Sequence, residues 1–326
     1  LGDTVLLYQA KGAVIDTSNT AAFGNILSYG NAGNFEFNVV GQVVGSDVIF
    51  QNQLLNEYDV PGKVQLVTVP NLGNASVCDL TCEAWDGSTG GVLVFFANSL
   101  TLTGDVDVSG KGFRGGVNTT YSPTPCNDNL EAPDFFYPEN LPGYAAHKGE
   151  GITTISQLRN RGKGTLANGG GGGNDHNTGG GGGGNFATGG NGGNEWTGCG
   201  FTNDRSGIGG KSLITSNNKV FFGGGGGSGH SNNGNGTSGE AGGGILITKS
   251  NTVFSNGYYF HSRGNHVIPD AGNDGAGGGG AGGSLIFYIS NFLDVPNVSC
   301  TGGNGGSASN STTPIIPHGP GGGGAG

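Results

Sequence analysis

Short runs that alternate apolar and polar residues, divided by turn-forming residues, fill the first third of the chain. Val5 to Tyr8, Phe35 to Val40, Asp47 to Phe50, Val64 to Val69, Val92 to Phe96 and Leu100 to Val108 are β-prone and separated by Gly, Asn, Asp and Pro. The alternation is plainest near residue 105, where Leu102, Val106 and Val108 fall on one face and Thr101, Thr103, Asp105 and Asp107 on the other. That pattern predicts a half-buried strand. No stretch carries the apolar period of a helix, so the expected fold class is all-β.

Glycine changes the picture beyond residue 168. The chain holds 74 glycines in 326 residues, with runs at Gly169 to Gly173, Gly179 to Gly184, Gly223 to Gly227, Gly277 to Gly280 and Gly321 to Gly324. Such runs normally make flexible linkers, because glycine gives up the most backbone entropy on ordering. Between them, however, stand Phe221-Phe222, Ile245-Leu246-Ile247 and Leu285-Ile286-Phe287-Tyr288-Ile289, apolar segments that a linker has no use for. The strict triplet of collagen is absent. The remaining reading is of extended, polyglycine-II-like segments lying side by side, whose bare backbones exchange N–H to C=O bonds and so offset the entropy lost. Three regions are predicted: a β-rich domain over 1–116, of β-sandwich or β-solenoid-like kind; an irregular, disulfide-tied insertion over 117–168; and a glycine-rich repeat domain over 169–326 with short strands.

Charge excludes some partners. Charged residues make up 11% of the chain and the net charge is −10, with lysines and arginines scattered, so nucleic acid is not expected to bind. No stretch approaches the ~20 apolar residues of a transmembrane helix. The chain starts at Leu1 and has no methionine, which implies an export signal removed from its front.

The five cysteines lack zinc or thioredoxin-like spacing. Cys78 and Cys82 are placed to bridge across Asp79-Leu80-Thr81, and Cys126 is available to Cys199, which leaves Cys300 over; other pairings stay open. Together with glycosylation sequons at Asn74, Asn118, Asn235, Asn297 and Asn310, they suit an extracellular, secreted or cell-surface location.

Catalytic constellations are not found. Gly207-Ile208-Gly209-Gly210-Lys211-Ser212 evokes a phosphate loop, but Arg205 stands where the first glycine is needed. Asp105 and Asp107 have the spacing of a carboxylate pair or a structural calcium site, although beside threonines they read as a solvent-facing polar row. No cofactor is expected. The binding candidates are the polar tips that follow the glycine runs, Asn174, Asp175, His176 and Asn177 and then His230, Asn232 and Asn233, with the aromatics Trp196, Tyr258 and Tyr259, whose rings suit a sugar or a partner chain. Trp85 stands beside turn-like sequence and is weighed with them.

Three stretches carry a resemblance. Residues 2–13 (GDTVLLYQAKGA), 58–67 (YDVPGKVQLV) and 105–116 (DVDVSGKGFRGG) resemble the amino-terminal region of large surface proteins of Bacteroidetes that are gliding-associated or secreted by the type IX route, and 171–177 and 272–283 are similar to its glycine-rich part. A looser similarity, on glycine runs alone, is to phage tail-tip adhesins and polyglycine-helix antifreeze proteins. The resemblance implies a surface module without assigned catalytic residues and a sorting domain beyond Gly326. The expected function is a non-catalytic structural or adhesive module, with itself, as an oligomer or filament, or surface glycans as partner; the alternative is a carbohydrate-active β-solenoid enzyme.

Overall fold

The computed structural model describes residues 2–121, 134–194, 205–214, 216–309 and 318–326. The fold is all-β: among the described residues there is one 3-10 turn, Val60–Gly62, capped by Asp59, and no α-helix, so no helix is long and apolar enough to cross a membrane.

The front of the chain makes an antiparallel sheet. β1 (Thr4–Gln9) lies at its centre between β4 (Phe35–Val44) and β6 (Val64–Thr68), with β5 (Asp47–Phe50) outside β4, while β2 (Val14–Ile15) and β3 (Ile26–Ser28) form a separate ribbon. Both faces of β1 are covered. Leu6 and Tyr8 enter the main core with Trp85, Phe113 and Phe222, and Val5 and Leu7 meet Val40, Phe50 and Tyr58.

The second sheet is parallel throughout, in the order β12-β10-β8-β7, from β7 (Asn74–Val77), β8 (Val92–Leu102), β10 (Ile245–Phe254) and β12 (Ser284–Phe292). A turn after each long strand leads into a short one, so β9 (Val106–Asp107), β11 (Tyr259–His261) and β13 (Asn297–Ser299) make a third parallel sheet. The predicted strand over 100–108 is therefore broken by a turn. Its alternation still holds, for Leu102, Val106 and Val108 are fully buried. Parallel neighbours need long crossovers. Here β8 pairs with β10 across more than a hundred residues, which are the insertion and the glycine runs.

The glycine runs carry no ladder, yet their peptide groups are paired with a period of three. In the run 179–184, Gly179 and Gly182 donate to Gly193 and Gly190, Gly180 and Gly183 to Ala276 and Gly279, and Gly181 and Gly184 to Gly171 and Asn168. The carbonyls follow the same rule. Those of Gly179 and Gly182 accept from Gly207 and Gly210, those of Gly180 and Gly183 from Gly322 and Ala325, and those of Gly181 and Gly184 from Gly227 and Gly224. One run thus touches six other segments, some parallel to it and some antiparallel. The run 223–228 repeats the arrangement, donating to 240–243, 181–184 and 147–150 in turn. These residues are buried, and every peptide group in 179–184 is satisfied.

Two expectations are corrected. Trp85 is 2% exposed and packs against Phe113 and Phe222 as core. Cys78 and Cys82 are not bridged. The Leu80–Val106 bridge and the bond from Thr81 Oγ1 to the Asp107 carbonyl draw the segment along β9, so it does not fold back on itself. Cys78 Sγ instead donates to Asp79 Oδ2 at 3.0 Å, and Cys82 is packed beside the second core. The predicted bridge between Cys126 and Cys199 lies outside the described residues, as do Trp196 and Asn310.

Candidate functional site

The polar tips converge, and most of them are inside. Asn174, Asp175, His176, Asn177 and His230 are all buried, whereas Asn232 is half-buried and Asn233 exposed. The reason is the bundle itself: each tip turns a glycine segment, and adjacent segments bring their turns together at one end. Asp175 Oδ2 meets Arg205 at 2.6 Å. The Asn177 backbone N–H donates to His230 Nδ1 at 3.3 Å, and its side-chain amide lies 2.8 Å from the Asn273 carbonyl and 3.1 Å from His318 Nδ1. Asp274, which is fully buried, accepts from Ser231 Oγ and from the backbone N–H groups of Asn232, Asn233, Asn235 and Gly236. Most of these polar groups are thereby paired, while Asn177 Oδ1 and Asn232 Oδ1 are buried with no hydrogen-bond partner among the described residues.

Three histidines share this end, and all are held below their ordinary pKa. Burial, then the positive charges of His230 and His318, bring His176 from 6.5 to about 4; burial also lowers His230 and His318. Among the described residues no cluster of His, Cys, Asp or Glu is arranged to hold a metal ion. The arrangement fixes a pH dependence. The unfolded chain takes up the His176 proton near pH 6.5 and the folded one only near 4, so stability is full above that window and falls as pH drops through it, and the lowered His230 and His318 act in the same direction. Thermal melts from pH 7 to 4 should therefore show a falling Tm, and His176→Gln should flatten the slope; an unchanged slope would show that His176 is protonated without cost.

The remaining predicted site residues lie elsewhere. Tyr258 and Tyr259 are exposed, and the Tyr259 ring stacks on His261 with centroids 4.9 Å apart. Asp105 joins them, accepting from the Tyr259 N–H at 2.9 Å and lying 3.5 Å from His261 Nε2. Asp107 faces a different way, accepting from the Ser109 N–H and lying 3.9 Å from Arg263. Of the sequons, Asn74 and Asn235 are exposed, while the side-chain amides of Asn118 and Asn297 donate to the carbonyls of Gly229 and Gly257.

A site that sequence reasoning missed lies between the front sheet and the insertion. A cavity of 420 Å³ is lined by Lys11, Arg114, His147, Lys148, Glu150 and Thr153 among others. Glu150 accepts from Lys11 Nζ (3.2 Å), the Arg114 guanidinium (2.8 and 3.1 Å), the Arg114 N–H (3.2 Å) and Trp85 Nε1 (3.1 Å). Burial alone would raise its pKa, but the Arg114 bonds and the two positive charges outweigh it and hold it at about 2. His147 bridges Glu139 to the Val117 carbonyl, and Arg161 also reaches Glu139. Lys148, buried, donates to the carbonyls of Phe135, Gly162 and Gly164 at 2.6–2.7 Å with its ammonium over the Phe23 ring. Each ionised group is spent on the backbone or on another side chain. The only sequence signal was two charges, Lys148 and Glu150, beside His147 inside the Gly/Ala stretch 145–151 of a charge-poor chain.

Comparison with protein-family models, curated proteins and solved structures yields no match.

Proposed function

We propose that this chain is a non-catalytic structural or adhesive module of a cell surface, built as a β-solenoid-like stack fused to a bundle of polyglycine-II segments. The observation that carries the reading is the three-residue period of hydrogen bonds around residues 179–184, shared with six neighbouring segments. A chain with three residues per turn offers its N–H groups in three directions, and only segments without Cβ atoms approach closely enough to use them all. The product is a stiff body without flexible side chains in its interior, suited to bearing surfaces outward. The exposed Tyr258, Tyr259 and Asn233 are the contact residues in this reading. Extracellular placement rests on the sequons and on the resemblance to exported surface proteins.

The second reading, a carbohydrate-active β-solenoid enzyme, is favoured by one contact, that of Asp105 with His261 beneath the Tyr259 ring on a parallel sheet. One experiment separates the two. Purified protein is incubated with a polysaccharide panel and products and retention are measured; the module reading expects retention without turnover, weakened by Tyr258→Ala and Tyr259→Ala at unchanged Tm. Turnover abolished by Asp105→Asn with the fold intact would replace it by the enzyme.

A further inference from the structure

One face of the second sheet carries a row of side chains that its packing does not explain. β8, β10 and β12 bring Phe96, Lys249 and Tyr288 side by side in one register. Two residues earlier on the same strands, Val94 and Ile247 are buried in the main core with Ile286 packed beside them, so the row marks where the covering front sheet stops. Phe37 of β4 closes one side, its ring centroid 5.2 Å from that of Phe96. These four side chains line a cavity of 300 Å³. Phe37 and Phe96 are half-buried there, while Lys249 and Tyr288 are exposed. Two residues further on, Asn98, Asn251 and Ser290 are exposed and continue the same face.

The cation in this row is the informative residue. Lys249 is the only charged residue in the four strands of the sheet. A lysine on an outermost strand commonly guards against unwanted pairing, but β10 lies inside the sheet with a neighbour on each side. Nor does it belong to a surface ion pair. Its ammonium lies over the Phe96 ring, 5.8 Å from the centroid, and pairs with no carboxylate among the described residues.

We propose that this row binds a pyranose ring that carries a carboxylate, a uronic-acid unit of a surface polysaccharide. The apolar face of the sugar packs on the Tyr288 ring and against Phe96, its carboxylate accepts a charge-assisted hydrogen bond from Lys249 Nζ, and its hydroxyls meet Asn98, Asn251 and Ser290. An acidic peptide would also satisfy the lysine but fits less well. Peptides are held on sheets by backbone bonds at an edge, and this row runs across the face, where the strands' backbone groups are already paired. The inference rests on the structural-module reading and names a ligand class for it, at a place separate from Tyr259 of β11.

The test titrates the full chain calorimetrically with oligogalacturonate, with its methyl ester, which keeps the rings and loses the charge, and with an oligoglutamate peptide. Binding of the acid is expected, with the ester weaker by about fivefold, the worth of an exposed ion pair. Lys249→Met should cause the same loss for the acid and none for the ester. Tyr288→Ala should weaken both sugars at unchanged Tm, and Tyr259→Ala should leave binding of the acid as it is. Absence of binding, equal affinity for acid and ester, or equal affinity for the peptide overturns the proposal, and so does a loss with Tyr259→Ala that Tyr288→Ala does not share. Cleavage of the oligosaccharide would instead count against the non-catalytic module, a failure distinguishable from that of the site.

Discussion

Gly181→Ala is expected to destabilise the protein by about 3 kcal/mol, while Gly323→Ala, in another glycine run, costs nothing measurable. Gly181 donates to Gly171 and accepts from Gly227 at 2.8 Å each, and a Cβ there would be driven into the Ile208 carbonyl and come within 2.9 Å of the Gly207 oxygen. Backbone held by neighbours on all sides cannot yield to it as a side chain would. Gly323 is exposed, and a Cβ would meet only the Gly303 oxygen at 3.8 Å. Urea unfolding of the two variants decides the matter. In a flexible run both substitutions would stabilise by about 0.4 to 1 kcal/mol through the unfolded state, and that result would end the packed-backbone account. A large loss at Gly181 with none at Gly323 separates steric exclusion inside the bundle from any general dislike of alanine in such sequence.

The strands were legible because their alternation is local. Leu102, Val106 and Val108 sit on the buried face that period-two reading assigns them, even though a turn interrupts the strand. Order in the glycine runs was legible only indirectly, through Phe221, Phe222 and the apolar strands between the runs, all of which need a core. What could not be read is which segments meet. Glycine carries no side-chain pattern to specify a neighbour, so nothing in residues 179–184 names 276–279 or 322–325 as partners. The tips failed for a related reason. Asn, Asp and His after a glycine run look like a displayed loop, but bundling brings several such turns together, and Asp274 and Asn177 end up satisfying one another's neighbours away from water. The thiol pair misled because sequence proximity said nothing of the β9 edge that holds the segment extended.

Glu150→Gln should cost roughly 3–5 kcal/mol, the range for removing one partner of a buried ion pair. Burial lowers the pKa of Lys11 and the facing Glu150 carboxylate opposes that; the amide would leave the Lys11 ammonium and the Arg114 fork without their counter-charge. The effect must also depend on pH. The folded pKa of Glu150 lies near 2 against an ordinary 4.5, so its contribution is complete above about 4.5 and is lost as pH falls from there towards 2. The stability difference between wild type and Glu150→Gln should accordingly be constant near pH 6 and shrink at pH 3, below the window in which His176 acts. Lys11→Met in the Glu150→Gln background should restore part of the loss, because it removes the stranded charge, giving a coupling energy in the double-mutant cycle. Denaturant midpoints for the four proteins at pH 6 and pH 3 supply every term. Additive losses, or a difference that does not change with pH, would show that the carboxylate is not what joins the front sheet, through Lys11 and Trp85, to the segment that carries Lys148.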